Sequence, residues 1–422
     1  MEREELGAWL RLLLAPGLGP VSIRRLLVAF GSPETVLAQS PAALRTVVSA
    51  RQAEALLADA DLAPQGWAEL LTRSWAWLHA ADALEQRAIV ALGEPGYPAA
   101  LLQMEDPPFL LHLMGCLDGL HDGSLWTHHL TERRCLAVVG SRNPTPQGGL
   151  NARQFARSLA EAGLTIVSGL ALGVDGAAHE GALSAQADPG PLPPSSPDSR
   201  PGPGPVGGGR ARLATVAVVG TGLDQVYPKR HAALARRIVA QGVIVSEYPL
   251  GTPPLAENFP RRNRLIAGLS CATLVVEAAP QSGSLITARL AVELGKEVLA
   301  IPGSIHNPQS RGCHALIRQG AKLVESAQDV LEELPAWAGV AARPGEAVAD
   351  TEAIHAVDAE SHPSEPEDAL RAALGTDPVS LDALQARTGW PTAQLQARLM
   401  ALELEGEVAR LPGGLLQRLV RG

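Results

Sequence analysis

Asp175 and His179 stand four residues apart in a helix-length segment, the most direct acid–base candidate in the chain. At that spacing they share one helix face, where they can exchange a proton or supply two metal ligands. The competing reading is structural: such a pair near a helix start commonly forms a capping and packing network. No Ser-His-Asp arrangement and no paired-carboxylate motif accompanies it, so nothing here demands catalysis.

A second group of residues suits anions. Four segments combine Gly with Ser, Thr or Arg: Gly140-Ser141-Arg142-Asn143, Ser168-Gly169, Gly220-Thr221-Gly222-Leu223-Asp224, and Gln281-Ser282-Gly283-Ser284-Leu285-Ile286-Thr287. Small residues let backbone N–H groups approach a phosphate, hydroxyls add donors, and a following helix N-terminus favours negative charge. Tight strand-to-helix turns need Gly in any case, so one such loop means little; four together point to a phosphate-binding crevice. Phe259-Pro260-Arg261-Arg262-Asn263-Arg264 adds three arginines within four residues and a ring for base stacking. Alternatively, Arg262 or Arg264 pairs internally with Glu247 or Glu277. Lys296 either reaches a phosphate or is a solvated turn residue.

Two common nucleotide motifs are missing. Gly220-x-Gly222 lacks a third Gly, Gly140 lacks the second, and no acidic residue is placed for a ribose hydroxyl. There is no G-x-x-x-x-G-K-[ST] loop.

The elements that must position these residues follow from hydrophobic patterning. Short β-branched runs at 135–139, 165–168, 215–219, 243–246, 273–277 and 298–301 alternate with helix-length segments near 147–162, 174–185, 229–241, 261–269 and 284–295. Phe109–Met114 is a further candidate strand. This alternation predicts an α/β domain over 108–334, built on a Rossmann-like, doubly wound and mostly parallel sheet. Ligands of such sheets bind beyond the C-terminal strand ends, where the loops above fall.

Residues 1–90, rich in Leu and Ala, read as a helical domain with the turn Pro16-Gly17-Leu18-Gly19-Pro20. Segment 188–212 is packed with Pro, Gly and Ser and reads as a disordered insertion. Residues 338–368 read as an acidic linker. Residues 369–422 carry a helix-turn-helix pattern and a hairpin, the winged-helix outline.

The formal net charge of −9 is unevenly spread. Between Thr131 and Lys322 there are 20 Lys and Arg against 12 Asp and Glu, a basic body between acidic flanks. The four cysteines are scattered, without a C-x-x-C pair or a His at zinc spacing. The N-terminus is acidic, and no apolar run approaches membrane length. A reduced, cytoplasmic protein with no metal, no cofactor and no membrane association is expected.

In order and spacing, the motifs resemble the DNA-processing protein A family (DprA, also called Smf). The resemblance runs from about Tyr97 to Val324. It rests on Val138-Val139-Gly140-Ser141-Arg142, on Val167 to Asp175 with Ala178-His179, and on Gly220 to Asp224 with Tyr227-Pro228. Ser246-Glu247-Tyr248-Pro249, Phe259 to Arg264, Val275 to Ala278, Ser282 to Thr287 and Ile301-Pro302-Gly303 complete it. The insertion at 188–212 departs from the family pattern. The resemblance implies a sterile-alpha-motif-like N-terminal domain, a Rossmann-like body that dimerises, and a C-terminal winged helix.

It also implies a non-enzymatic role. Such a protein binds and protects single-stranded DNA entering during natural transformation, and loads the RecA recombinase onto it. The implied DNA-binding residues are Gly140, Ser141, Arg142, Phe259, Arg261, Arg262, Asn263 and Arg264. The crevice reading adds Ser168, Gly169, Ser282, Gly283, Ser284 and Thr287, and Lys296 is added from the adjoining helix-to-strand turn. The winged helix is nearly neutral, and Arg398 is the one cation of its presumed recognition helix. Protein contact therefore suits it better than groove reading.

Two rival classes are weighed. A nucleotide phosphoribohydrolase would carry P-G-G-x-G-T-x-x-E, and neither Pro280–Thr287 nor Pro302-Gly303-Ser304 places the Glu. A winged-helix transcription factor would need a basic recognition helix.

Overall fold

The computed structural model describes residues 1–57, 66–80, 85–120, 125, 134–185, 213–334, 370–371, 373–375, 378–411 and 413–419. The insertion at 188–212 and the linker at 338–368 lie outside the described residues.

Six helices come first: α1 (Arg3–Leu14), α2 (Pro20–Phe30), α3 (Pro33–Leu37), α4 (Pro41–Leu44), α5 (Ala50–Leu57) and α6 (Trp67–Leu78). Strands β1 (Gln86–Ala91), β2 (Leu110–Gly115) and β3 (Cys135–Val139) lead to α7 (Pro146–Glu161), β4 (Thr165–Ser168) and α8 (Val174–Ala185). Then follow β5 (Thr215–Val218), α9 (Ala232–Gln241), β6 (Val243–Ser246), α10 (Asn258–Leu269), β7 (Ala272–Val275), α11 (Gly283–Glu293) and β8 (Glu297–Ala300). Last come α12 (Arg311–Arg318), β9 (Lys322–Leu323), α13 (Ala327–Glu332), β10 (Val379–Ser380), α14 (Leu381–Thr388), α15 (Thr392–Leu404), β11 (Val408–Arg410) and β12 (Leu415–Arg418).

The chain forms two compact units. One joins Met1–Thr131 to Arg210–Leu269, the other joins Glu132–Gly209 to Ser270–Gly422. In the first unit the strand order is β1-β2-β6-β5. β1 pairs antiparallel with β2, β2 antiparallel with β6, and β5 parallel with β6.

The N-terminal helices are amphipathic, and Leu6, Trp9 and Leu10 of α1 pack with Ile23 and Leu26 of α2. A capping box joins Glu2 and Glu5 at the start of α1. Gly17, at φ +76°, shapes the turn into α2, and Gln52 Nε2 pins that turn by donating to the Gly17 carbonyl (2.8 Å).

Residues 86–90 fall within the stretch read as helical, yet they belong to strand β1. β1 lines up with all six residues of β2, from Gln86 opposite Gly115 to Ala91 opposite Leu110. Ile89 and Ala91 join the helical core, while the Arg87 guanidinium lies over Trp77, 5.7 Å from the ring centre. Pairing with β2 and packing on the helical core thus override a sequence of weak strand propensity.

In the second unit the order is β4-β3-β7-β8-β9, and the registered pairs are all parallel. Together with the first unit this makes the strand pairing mixed and mostly parallel, as the sequence predicts. From β3 the chain crosses to β4 on one side, while β7 lies on the other side of β3 and leads outward to β8. The strand order therefore reverses between β3 and β7, the position where such sheets usually bind ligands. Leu136, Val138, Ile166, Leu274 and Leu299 of the strands pack with Ala156, Leu159, Val174 and Ala178 of α7 and α8.

The C-terminal elements form the winged helix. Ser380 caps α14, accepting from the Ala383 amide (3.2 Å), and Gly389 at φ +69° ends it. A three-stranded antiparallel sheet, ordered β10-β12-β11, closes over Leu384, Leu395, Leu399 and Leu402. Among the described residues no helix is long and apolar enough to cross a membrane.

Candidate functional site

The predicted site residues fall into two groups, one in each unit. Phe259, Arg261, Arg262, Asn263 and Arg264 lie on α10 of the first unit. The remaining ten belong to the second.

On α10 the three arginines have three different environments. Arg262 is buried at 3% exposure, donating from Nη1 to the Val218 carbonyl at the end of β5 and from Nε to Asn263 Oδ1 (3.0 Å). Arg264 is paired with Glu247 and Asp106, and its Nη1 also donates to the Asp106 carbonyl (2.9 Å). Burial pushes the Glu247 carboxyl up, and the Arg264 guanidinium pulls it back. The internal pairing reading thus holds for Arg264, with Glu247 as its partner, while Arg262 is engaged internally through the Val218 carbonyl and Asn263. Arg261 alone of the three is exposed.

Phe259 is half-buried, and its ring packs 5.4 Å from that of Tyr227 at an interplanar angle of 38°. Tyr227 is 46% exposed, and Lys229 and Arg230 follow it on the surface. Gly220 permits this arrangement, since a Cβ there would stand 3.3 Å from the Phe259 ring. Asn258 Nδ2 donates to the Gly220 carbonyl (3.0 Å), tying the start of α10 to the end of β5. The Gly220–Asp224 loop itself is closed: the Gly222 amide donates to the Thr252 carbonyl (3.0 Å) and the Thr221 hydroxyl to the Gln225 carbonyl (3.2 Å).

Tyr227 was not among the predicted site residues. Its motif with Pro228 is visible in the sequence, but 32 residues separate it from the ring it joins.

In the second unit, the Gly140-Ser141-Arg142-Asn143 turn lies beyond the C-terminal end of β3. Gly140 is sterically required: a Cβ would meet Val174 Cγ2 at 2.7 Å and the Glu277 carbonyl at 2.9 Å. The Ser141 hydroxyl turns inward and accepts from the Asn143 amide (3.1 Å), which leaves the Arg142 side chain on the surface.

The loop after β4 is held by the pair first considered for catalysis. Asp175 Oδ2 accepts from the Gly169 and Ala171 amides (3.1 and 3.3 Å), and His179 Nε2 accepts from the Leu170 amide (3.3 Å). Leu170 sits at φ +55°, a conformation costly for a side chain with a Cβ. Asp175 and His179 therefore act as a clamp on this loop. The Ser168 hydroxyl is also committed, donating to the Val138 carbonyl (2.7 Å).

Between the ends of β3 and β7, where an anion was expected, stands a carboxylate. Glu277 accepts from the Thr145 amide (2.9 Å) and the Thr145 hydroxyl (2.7 Å) at the start of α7, and a Cβ on Gly148 would collide with it. Burial pushes its carboxyl up while the Thr145 bonds pull it down.

At α11, Ser282 is the N-cap: its Oγ accepts from the Ser284 amide (3.3 Å) and lies 2.7 Å from the Ser284 hydroxyl. Gly283 is exposed, with open space where a Cβ would be. Ser284 and Thr287 are buried. Lys296 precedes β8 and so lies at the opposite rim, near the buried Cys135 that begins β3. It cannot join the residues beyond the C-terminal strand ends. Among the described residues, no cluster of three or more His, Cys, Asp or Glu is arranged to hold a metal.

Comparison with known proteins places this geometry in context. Residues 88–189 and 206–335 match the model of the DNA recombination-mediator protein A family, and residues 355–414 match its winged-helix domain. Protein Smf of Escherichia coli is 40% identical over 75% of this chain and 74% of its own length. Protein Smf of Synechocystis is 30% identical over 99% of this chain and 100% of its own. The crystal structure of DNA processing protein A from Streptococcus pneumoniae, 33% identical, covers 77% of this chain and 96% of its own, with a TM-score of 0.58.

Proposed function

The chain belongs to the DNA recombination-mediator protein A family, and from that premise we propose that it binds single-stranded DNA without acting on it chemically. In this reading it protects DNA taken up during transformation and loads the RecA recombinase onto it for recombination. The observation that carries the DNA-binding step is the Tyr227–Phe259 pair, two packed rings flanked in sequence by Lys229, Arg230 and Arg261. Ring faces offer stacking to any unpaired base, and the cations meet the phosphates. A duplex hides its base faces, so the same surface discriminates against it.

Arg142, on the surface of the turn after β3, supplies a further phosphate contact in this proposal. Ser168, Arg262, Arg264 and Thr287 act behind the surface, because their side chains are buried or internally paired. Gly140 and Ser141 shape the turn that carries Arg142, Asn263 shares α10 with Arg261, Gly169 belongs to the loop after β4, and Ser282, Gly283 and Ser284 head α11. Dimerisation through the Rossmann-like body is part of the same reading. It is supported by the edge strand β9, where Leu323 is 50% exposed, and by Ile305, which is 73% exposed.

Fluorescence anisotropy with oligo-dT and with duplex of equal length, over a salt series, tests the proposal. Tight, salt-sensitive preference for the single strand is expected. Equal or negligible binding to both overturns it, and base release from nucleoside monophosphates is then the assay to run.

A further inference from the structure

The winged-helix domain carries a surface that its fold does not use. α15 buries Leu395, Leu399 and Leu402 in the domain core. On the opposite side of the same helix, Ala393, Ala397, Met400 and Leu404 are all exposed, Met400 at 62% and Leu404 at 82%. Their spacing of four, three and four residues places them in one narrow stripe, the a/d seam of a coiled coil. A helix of a small domain normally turns a polar face to water. This one is apolar on both sides.

We infer that this stripe pairs with the same stripe of a second copy of the chain, the two helices running antiparallel about a two-fold axis. Self-complementarity argues for it. With the axis between Arg398 and Leu399, Ala393 of one copy faces Leu404 of the other, and Ala397 faces Met400, so each large side chain fills the space over a small one. A parallel pair sets Leu404 against Leu404 and leaves Ala393 against Ala393, a gap at one end and crowding at the other.

Charge selects the same arrangement. Glu405 lies at the C-terminal end of α15, where Glu403 is already paired with Arg410 of β11, while Thr392, Gln394 and Gln396 occupy the N-terminal half of the helix. Antiparallel pairing brings the Glu405 carboxylate to the partner's uncharged N-terminal turn, where helix dipole and amide donors favour it. Parallel pairing sets Glu405 against Glu405.

The stripe is about 16 Å long, small for a stable interface by itself. It therefore acts where copies are already close, on one DNA strand or within one assembly. The pairing uses residues distinct from the β9 edge and stands or falls separately from the dimer proposed there.

The test is a full chain carrying Ala393→Cys and Leu404→Cys together. Eleven residues separate the two positions along the helix, about 16 Å, too far for a bond within one chain. Two antiparallel copies bring each new thiol to its partner, so mild oxidation by diamide is expected to give a covalent dimer as the main product. Either single substitution places like thiols far apart and is expected to stay at the background of the unsubstituted chain. Adding Met400→Glu to the double variant is expected to return it to that background. A folded double variant that gives no more dimer than the singles overturns the proposal, including the case where another segment of the same chain covers the stripe.

Discussion

Tyr227 and Phe259 lie ring to ring, 5.4 Å apart, although one precedes α9 and the other begins α10. Neither ring is fully buried. A surface aromatic pair bordered by cations has ring faces on which a planar group can stack, the role proposed for this one.

Replacing either ring separates stacking from charge. Phe259→Ala or Tyr227→Ala is expected to weaken oligo-dT binding by about 1–3 kcal/mol per lost base contact. The dependence of log K on log salt is expected to stay the same, because no phosphate contact is removed. Tyr227→Phe retains binding. Anisotropy titrations at several salt concentrations check all three.

Arg142→Ala is expected to do the reverse. Affinity falls, and the salt slope flattens by about 0.7, the value for one single-strand phosphate contact. Unchanged slope and affinity remove Arg142 from the interface.

The neighbouring arginines of α10 are expected to behave oppositely. Arg261 is exposed, so Arg261→Ala lowers DNA affinity and leaves the thermal midpoint in place. Arg262 is buried on the Val218 carbonyl, so Arg262→Ala strands that acceptor and costs about 1–3 kcal/mol of stability. Calorimetry read beside anisotropy distinguishes the two.

Acid should unfold the first unit through His112. This side chain of β2 is buried, and burial lowers its pKa from 6.5 to about 4. The folded state prefers the neutral ring, so the contribution is complete above pH 6.5 and is lost as pH falls from 6.5 towards 4. Over that window the loss amounts to about 3 kcal/mol. His112→Leu is expected to flatten the acid limb of a melting-temperature profile across the same window, and an unaltered limb would refute the assignment.

Much of the fold could be read from residue patterns alone. Runs such as Thr165–Ser168 and Val243–Ser246 are β-branched and bounded by turns, and they are strands β4 and β6. Gln86–Ala91 gave no such signal, because its pairing with β2 and its contact with the helical core are tertiary. Within the candidate site, residue type told which side chains are able to bind phosphate but not which are already engaged. Arg261, Arg262 and Arg264 are identical in type and close in sequence, yet only Arg261 remains on the surface, because helix periodicity turns the others towards β5 and Glu247. Lys296 stands apart for a different reason: it precedes a strand, so it lies at the rim opposite the crevice at the C-terminal strand ends.

Glu277 has a consequence for which guests this sheet accepts. At the reversal between β3 and β7, its carboxylate receives the Thr145 amide and hydroxyl at the head of α7. A mononucleotide presents a compact doubly charged phosphomonoester and would need that helix end vacant. Here it would meet the Glu277 carboxyl group and find those donors already engaged. A polynucleotide has no such requirement, since its charge is singly spaced along a diester backbone and its attraction is summed over many weak contacts. The internal carboxylate thus takes the place that a compact phosphate would claim at the reversal point, which argues against a free nucleotide as the guest of this sheet.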